Sequence, residues 1–349
     1  MSGLPVPRLN PDRLDPAFDL LRGAVSSGEF PVALLAVANR RETVRIEAYG
    51  PDGPAGIDGI YLIASITKPI VATAVMQLVE RGRLLLEDPV VRYLPEFGTC
   101  GKERVTVWNL LTHTSGLDHD YWQQGNLPGT PEEDLRSACE AGLRFEPGSH
   151  FEYCNAAFRV LGEIVCRCGG QSYQEYIRRE VCLPAGMVDT SFGLEPEKRS
   201  RAVPVIGFPE IPGGIDSFAT LASPAGGLFS TAADLVAFGQ AFLNGGAGRF
   251  GRVLGPAALR VMTCHHIQGL CSYQEGRPVP QYWGLSWEKA APAEGRLVSP
   301  SGYGHGGMTG GYLWIEPDAD LVIVLLTNRV GLDGRTRKRI VNAVLGALE

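Results

Sequence analysis

Ser65 and Lys68 stand three residues apart at the start of an apolar run, in the sequence Ser-Ile-Thr-Lys. On a helix this spacing places the two side chains on one face, with Cβ atoms about 5–6 Å apart. A serine hydroxyl is a weak nucleophile unless a neighbour accepts its proton, and a lysine can do so when burial or nearby cations lower its pKa. The pair therefore predicts a nucleophile with an activating amine, although Ser and Lys are both common on helix surfaces.

A second candidate group is Tyr153-Cys154-Asn155. A tyrosine near a lysine ammonium can have a lowered pKa and act as a general base or proton shuttle. Asn155 can donate to a substrate carbonyl and also hold the lysine. Taken alone, this tripeptide is as typical of a half-buried tyrosine as of a catalytic one.

A third candidate group is the glycine-rich run from Gly304 to Met308, just before a predicted strand. Glycines on an edge strand let a substrate backbone approach closely, and a strand N–H there could form half of an oxyanion hole with the Ser65 N–H. His305 can present a donor, or a positive charge when protonated, to a substrate. The alternative interpretation of the segment is a turn between strands.

Composition and charge narrow the classes of function. The chain has 349 residues, a length that suits two packed domains or one elaborate one, and its formal charge of −6 argues against nucleic acid or an anionic membrane as a partner. Residues 1–16 are polar and proline-rich and contain no signal-peptide core. The most apolar run, Leu321 to Leu326, is too short to span a bilayer. We therefore expect a cytoplasmic location and no membrane association.

The eight cysteines are scattered, so we expect free thiols rather than a disulfide framework. Cys166-Arg167-Cys168 resembles half of a metal site, but no second cluster has matching spacing, and His265-His266 is the one pair of adjacent histidines. We expect neither a metal nor another cofactor.

Apolar periodicity predicts strands towards both ends of the chain and helices in its middle. The predicted strands are 31–39, 43–49, 282–287, 310–315 and 321–327; the predicted helices include 17–27, 65–81, 107–111, 156–166, 173–181, 231–243 and 335–348. This pattern indicates an α/β (α+β) fold in which an antiparallel sheet from both termini is flanked by helices. We expect residues 1–63 and 280–349 to form the sheet domain and residues 64–279 an inserted, mostly helical domain, with the active site at their interface.

Two further segments carry weaker signals. The run from Gly246 to Gly251 matches a dinucleotide-binding fingerprint, but a helical pattern precedes it where a strand is required, so a surface loop is favoured. We interpret His113 as structural and the turn from Pro224 to Gly227 as packing behind the site.

The three motifs, in this order and at these separations, resemble the serine β-lactamase and penicillin-binding-protein superfamily, in its class C β-lactamase, DD-peptidase and family VIII esterase branch. The resemblance covers roughly residues 20–345 and implies a β-lactamase-like fold. Supporting segments are 64–69 (Ala-Ser-Ile-Thr-Lys-Pro), 86–95, 110–117 (Leu-Leu-Thr-His-Thr-Ser-Gly-Leu), 145–148, 223–235 and 326–329.

The resemblance also implies roles. Ser65 would be the acylated nucleophile, Lys68 its activating neighbour and Tyr153 the proton shuttle, while the identity of the base in such enzymes is disputed. The implied substrate-binding residues are Asn155, His305, Gly307 and Met308, with the N–H groups of Ser65 and Met308 as the oxyanion hole.

His305 stands where many β-lactamases have a lysine that suits a carboxylate. We therefore expect a serine hydrolase that forms an acyl-enzyme with a small ester, amide or peptide, in preference to a true β-lactamase acting on β-lactams. A non-catalytic binding protein that retains the fold and a metal-dependent hydrolase are further alternatives. Loops 118–131 and 204–218 are expected to shape the pocket, and the sequence leaves the oligomeric state open.

Overall fold

The computed structural model describes residues 7–50, 53–54, 56–118, 130–207, 215–291 and 295–349. The α-helices in these ranges are α1 (Asp15–Ser26), α2 (Thr67–Glu80), α3 (Val107–Leu111), α4 (Pro131–Glu140), α5 (Asn155–Gly169), α6 (Tyr173–Ile177), α7 (Leu183–Ala185), α8 (Ile215–Leu221), α9 (Ala232–Leu243), α10 (Pro256–Thr263) and α11 (Arg335–Leu345). The strands are β1 (Ala33–Ala38), β2 (Thr43–Gly50), β3 (Gly53–Pro54), β4 (Tyr61–Leu62), β5 (Ser191–Phe192), β6 (Leu228–Ser230), β7 (Cys271–Gln274), β8 (Arg277–Pro280), β9 (Glu288–Lys289), β10 (Tyr303–Gly306), β11 (Tyr312–Glu316) and β12 (Leu321–Thr327).

The main sheet joins the two ends of the chain. Its strand order is β3-β2-β1-β12-β11-β10-β9, and the neighbouring strands are antiparallel. Strand β1 pairs with β12 from Ala33 opposite Thr327 to Ala38 opposite Val322. The sheet and the flanking helices confirm the predicted α/β (α+β) fold, because β1, β2, β11 and β12 all overlap predicted strands.

Helices cover both faces of this sheet. Alternate residues of β1 belong to two different clusters of buried side chains, as the two-residue period of a strand requires. The side chains on the same face of β1 as Leu35 pack with α1 and α11. Those on the face of Leu34 pack with α2, α5 and α9. The second of these clusters contains side chains from both the sheet and the helical region.

Helix α2 runs through the centre of the helical region. Every residue from Thr67 to Leu78 is buried, which is typical of a helix surrounded by protein. Pro69 is its third residue, where the lost backbone donor is one that the helix leaves unpaired anyway. Gly82, with φ +65°, follows its C-terminal end. Lys68 is consequently held inside the protein at the N-terminal end of the helix.

Two sequence predictions need correction. The strand predicted at 282–287 is wrong: Gly284 donates to Trp287 O across a tight turn, and Ser286 has a left-handed φ of +69°, so this segment is not extended. The helix predicted from residue 65 begins at Thr67, after a short 3-10 helix over Ala64–Ile66. Across the described ranges, no helix is long and apolar enough to cross a bilayer.

Candidate active site

Ser65 lies on the 3-10 helix that precedes α2. The residue before it, Ala64, has a left-handed φ of +47°, a strained conformation for a residue with a Cβ atom and one that clusters at functional sites. The turn is held to strand β6, since Ile63 N donates to Leu228 O at 3.0 Å. Ser65 is half-buried, so its side chain remains reachable from the cleft.

Lys68 is fully buried and makes three hydrogen bonds through Nζ. The partners are Ser65 Oγ at 3.1 Å, Asn155 Oδ1 at 2.8 Å and the Ala225 carbonyl oxygen at 2.6 Å. A neutral amine has two N–H donors and one lone pair. If the two N–H groups go to the two carbonyl-type oxygens, the lone pair is left facing the Ser65 hydroxyl, which is the arrangement that a base needs.

Burial lowers the pKa of Lys68 from 10.5 to about 7, because transfer from water penalises the charged ammonium. The aromatic rings of Tyr153 and Phe158 stand 4.8 and 5.5 Å from Nζ. At neutral pH both protonation states of Lys68 are therefore populated, so the group can accept and return a proton.

Tyr153 faces the cleft, with 39% of its surface exposed, and its hydroxyl hydrogen-bonds to the Ser65 side chain. Desolvation of the hydroxyl by the surrounding protein raises the pKa of Tyr153 above the ordinary range, and the bond to Ser65 opposes this shift. The pKa of Tyr153 is therefore not lowered, as the sequence alone would allow for a tyrosine beside a lysine. Desolvation sets the direction of this shift, because it outweighs the opposing effect of the bond to Ser65. Tyr153 is thus suited to relay a proton as a neutral hydroxyl.

Asn155 is the first residue of α5. Its Oδ1 faces Lys68, because an amine can only donate to the oxygen of the amide. The Nδ2 group of Asn155 therefore points away from Lys68 and has the chemistry to donate to a substrate carbonyl.

His305 lies on β10 and is 3% exposed. Its Nδ1 donates to the Gly306 carbonyl oxygen at 2.7 Å, which assigns the lone pair of the neutral ring to Nε2. Nε2 is buried and has no hydrogen-bond partner among the described residues. Burial, with a smaller effect of Lys68, lowers the pKa of His305 to about 3. The ring is therefore neutral near pH 7, whereas the sequence allowed for a positive charge.

Gly307 brings the end of β10 against the segment that leads to Ser65. A Cβ atom at Gly307 would lie 2.5 Å from the Ile63 carbonyl oxygen, and Thr309 Oγ1 donates to Leu62 O at 3.0 Å. The glycine thus permits two segments of the protein to approach each other closely. The sequence predicts instead the close approach of a substrate. Met308, 41% exposed, follows directly.

The structure brings the seven candidate residues, Ser65, Lys68, Tyr153, Asn155, His305, Gly307 and Met308, to one region. Strand β9 pairs with β10 at Tyr303 and Gly304, and this pairing ends before His305. The Ala225 carbonyl oxygen could not be recognised from sequence as a partner of Lys68, because a backbone acceptor has no side-chain signature. Within the described ranges, no three His, Cys, Asp or Glu side chains are arranged to hold a metal ion. Residues 119–129 and 208–214 of the two predicted pocket loops lie outside those ranges.

The chain is similar to known proteins in both sequence and fold. The family model described as Beta-lactamase matches residues 18–347. Penicillin-binding protein 4 of Amycolatopsis lactamdurans is 30% identical over 284 residues, which cover 78% of this chain and 72% of that protein. Esterase EstB of Burkholderia gladioli is 38% identical over 212 residues, which cover 53% of each chain. A penicillin-binding protein homologue from Caulobacter crescentus has a similar fold, with a TM-score of 0.83 at 22% identity over 97% of this chain and 98% of its own.

Proposed function

The chain belongs to the beta-lactamase family, and from this premise we propose that it is a serine hydrolase that cleaves small esters through an acyl-enzyme on Ser65. The observation that carries the proposal is the set of three hydrogen bonds at Lys68 Nζ. Two of them go to Asn155 and Ala225, and the third position on the nitrogen faces Ser65 and can accept its proton. The cleft would lie between a sheet domain (residues 1–63 and 280–349) and a helical domain (64–279). Ser65, Lys68 and Asn155 come from the helical side and His305 to Met308 from the sheet side.

Acylation begins when neutral Lys68 accepts the Ser65 proton and Oγ attacks the substrate carbonyl carbon. The resulting oxyanion is stabilised by the N–H groups of Ser65 and Met308, whose segments Gly307 holds together. Asn155 Nδ2 orients the substrate. The tetrahedral intermediate collapses as Tyr153 gives its proton to the leaving alcohol and regains one from protonated Lys68. The alcohol thus leaves with the Tyr153 proton, the Ser65 proton ends on Tyr153, and Lys68 is neutral again.

Deacylation uses the same groups in reverse. Water enters where the alcohol left and gives a proton to the network of Lys68 and Tyr153, and the new oxyanion forms in the same position. Its collapse breaks the bond to Oγ, which recovers a proton from the network. Since both protonation states of Lys68 are accessible near pH 7, one lysine can serve both half-reactions.

The neutral form of His305 favours esters over β-lactams. A β-lactam or a peptide with a free C-terminus carries a carboxylate, and a ring with its one N–H bonded to Gly306 provides it with neither charge nor donor. The 38% identity to an esterase over half of the chain agrees with this preference. Hydrolysis of a β-lactam is the second candidate, because the matching family model is described as Beta-lactamase.

Intact-mass spectrometry tests the proposal. The protein would be incubated with p-nitrophenyl acetate, p-nitrophenyl butyrate, a D-Ala-D-Ala peptide, a penicillin and a fluorophosphonate probe. We expect turnover of the esters and a covalent adduct at Ser65 that Ser65→Ala abolishes, while the control Ser149→Ala, on an exposed turn, retains it. An unlabelled wild-type protein that turns over no member of this panel would refute the hydrolase and favour a binding protein. Faster turnover of penicillin than of either ester would support the second candidate.

A further inference from the structure

His113 makes contacts that a merely space-filling ring would not need. Its side chain is fully buried, and Nδ1 accepts a hydrogen bond from Cys154 N at 3.1 Å. Its carbonyl oxygen accepts a second bond, from Glu152 N at 2.9 Å. One residue therefore holds the backbone on both sides of Tyr153.

The His113 ring also lies against the Tyr153 ring. The centroids are 4.4 Å apart and the planes are inclined by 28°, a stacked arrangement. Phe158 at 5.4 Å and Trp283 at 5.2 Å, the latter edge-on, enclose the His113 ring. The support behind Tyr153 is thus itself fixed in position.

Cys154, whose N–H is bonded to His113, separates Tyr153 from Asn155. It is the N-cap residue of α5, and its own side chain makes no capping hydrogen bond. The segment before it is not part of a helix or strand, and single backbone bonds hold it, from Phe151 N to Cys271 O and from Glu152 N to His113 O. The bond from Cys154 N to His113 Nδ1 therefore holds the backbone between Tyr153 and Asn155 at the start of α5.

The chemistry of the ring agrees with this role. Because Nδ1 accepts, the proton of the neutral ring is on Nε2, and that buried N–H has no acceptor among the described residues. A buried donor without a partner reduces stability, and an apolar ring would only exchange this cost for an unpaired Cys154 N–H, so what the histidine supplies here is the acceptor at Nδ1. Burial, and to a lesser extent Lys68 and His305, also lower the pKa of His113 well below its usual range, which keeps Nδ1 an acceptor.

We propose that His113 is a positioning residue, which holds the Tyr153 hydroxyl at Ser65 through its bond to Cys154 N–H and its stacked ring. The proposal rests on the serine-hydrolase function inferred above. In this role His113 does not touch the reacting atoms. It acts only through Tyr153 and Asn155.

Two substitutions separate the acceptor from the ring. His113→Asn keeps an acceptor one bond beyond Cγ and tolerates the left-handed φ of +57° at this position, whereas His113→Phe keeps a stacking ring and removes the acceptor. We expect His113→Phe to lower kcat for p-nitrophenyl butyrate and the rate of fluorophosphonate labelling of Ser65 by about 100-fold, as a displacement of about 1 Å can do. His113→Asn should stay within about tenfold of the wild-type protein, and KM should change by less than about threefold in both variants.

Hydrogen exchange gives a readout that does not depend on turnover. The Cys154 amide should be protected in the wild-type protein and in His113→Asn but not in His113→Phe. If His113→Phe does not fold, His113→Ala supplies the acceptor-free variant. Equal rates in the acceptor-retaining and acceptor-free variants, or wild-type labelling in both, would overturn the positioning role. An unlabelled Ser65 in the wild-type protein would instead indicate failure of the hydrolase proposal.

Discussion

The Ala225 carbonyl oxygen lies 2.6 Å from Nζ of Lys68, which makes it the shortest of the three hydrogen bonds at this nitrogen. The two residues are 157 positions apart in the chain. A carbonyl oxygen accepts from both the ammonium and the neutral amine. In the proposed mechanism, Ala225 would therefore hold Nζ in place while the hydrogen bond between Lys68 and Ser65 reverses its direction.

The pKa of Lys68 predicts a pH dependence of ester hydrolysis. In the proposed mechanism the neutral amine is the base, so kcat/KM should rise with pH and reach half of its plateau near pH 7. His305, with a pKa of about 3, should add no step between pH 5 and 8. The measurement is kcat/KM for p-nitrophenyl butyrate from pH 5 to 9 at constant ionic strength. A flat profile, or a midpoint that persists in Lys68→Arg, would contradict the assignment.

Tyr153→Phe should lower kcat by about 10²- to 10⁴-fold, the usual contribution of a positioned proton donor. The substitution removes the hydroxyl bonded to Ser65 and keeps the ring that stacks on His113, so the thermal midpoint should change by only a few degrees. Tyr273→Phe, at an exposed tyrosine, is the matched control and should leave kcat unchanged. A Tyr153→Phe variant that retains more than about a tenth of the wild-type kcat would remove Tyr153 from the proton path.

Gly307→Ala should reduce activity through the oxyanion hole. The new Cβ atom would lie 2.5 Å from the Ile63 carbonyl oxygen, a backbone atom that can move only with the Ser65 turn. Separation of the Ser65 and Met308 amides should lower kcat by about 10²-fold, the cost of losing one oxyanion donor. Gly23→Ala on α1, where nothing lies within 4 Å of the added atom, should be fully active. Normal kcat in Gly307→Ala would show that the two segments do not have to approach so closely.

Most of the residues that the structure brings together at the candidate site could be predicted from sequence, because they occur in short motifs on or beside strongly periodic elements. Helix α2 and strand β12 have apolar patterns that local propensity and burial both support, and the structure confirms them. The contributions of Ala225 and His113 could not be read from sequence. They depend on backbone geometry and on contacts between residues far apart in the chain.

The charge state of His305 was also beyond sequence reasoning. A histidine can be a donor, an acceptor or a cation, and burial on β10 together with the Gly306 carbonyl oxygen selects one of these forms. At residues 282–287 the apolar pattern predicted a strand, but the backbone conformation of the segment was not readable from that pattern. The run forms a turn at Gly284 and at Ser286, which has a left-handed φ.

A buried ion pair supports the helix that carries Asn155. Arg159 on α5 donates from Nε to Asp134 on α4 at 2.8 Å, and both side chains are at most 4% exposed. Asp134→Ala should lower the free energy of unfolding by about 3–5 kcal/mol, since it leaves a buried guanidinium without its carboxylate. The double variant Asp134→Leu with Arg159→Met should recover much of that loss in urea unfolding. If both variants were equally unstable, packing rather than the uncompensated charge would explain the effect.

Lys68 should make the stability of the protein depend on pH in a direction that its pKa fixes. The folded value of about 7 is below the unfolded value of 10.5, so between these two pH values the unfolded chain binds more protons and stability rises with pH. Below about pH 7 both states are protonated, and the destabilisation by the buried charge is constant. Above about 10.5 it is absent.

Comparison with Lys68→Met isolates this contribution. The other titrating groups are the same in both proteins, and the hydrogen bonds lost in Lys68→Met change the difference in free energy of unfolding by nearly the same amount at each pH. From pH 7 to 9.5 the free energy of unfolding of the wild-type protein should increase relative to Lys68→Met by roughly 3 kcal/mol. Urea unfolding at pH 6, 7, 8 and 9.5 measures the difference. A constant difference over this range would mean that Lys68 stays charged in the folded protein, and a lysine that stays charged could not be the base that activates Ser65.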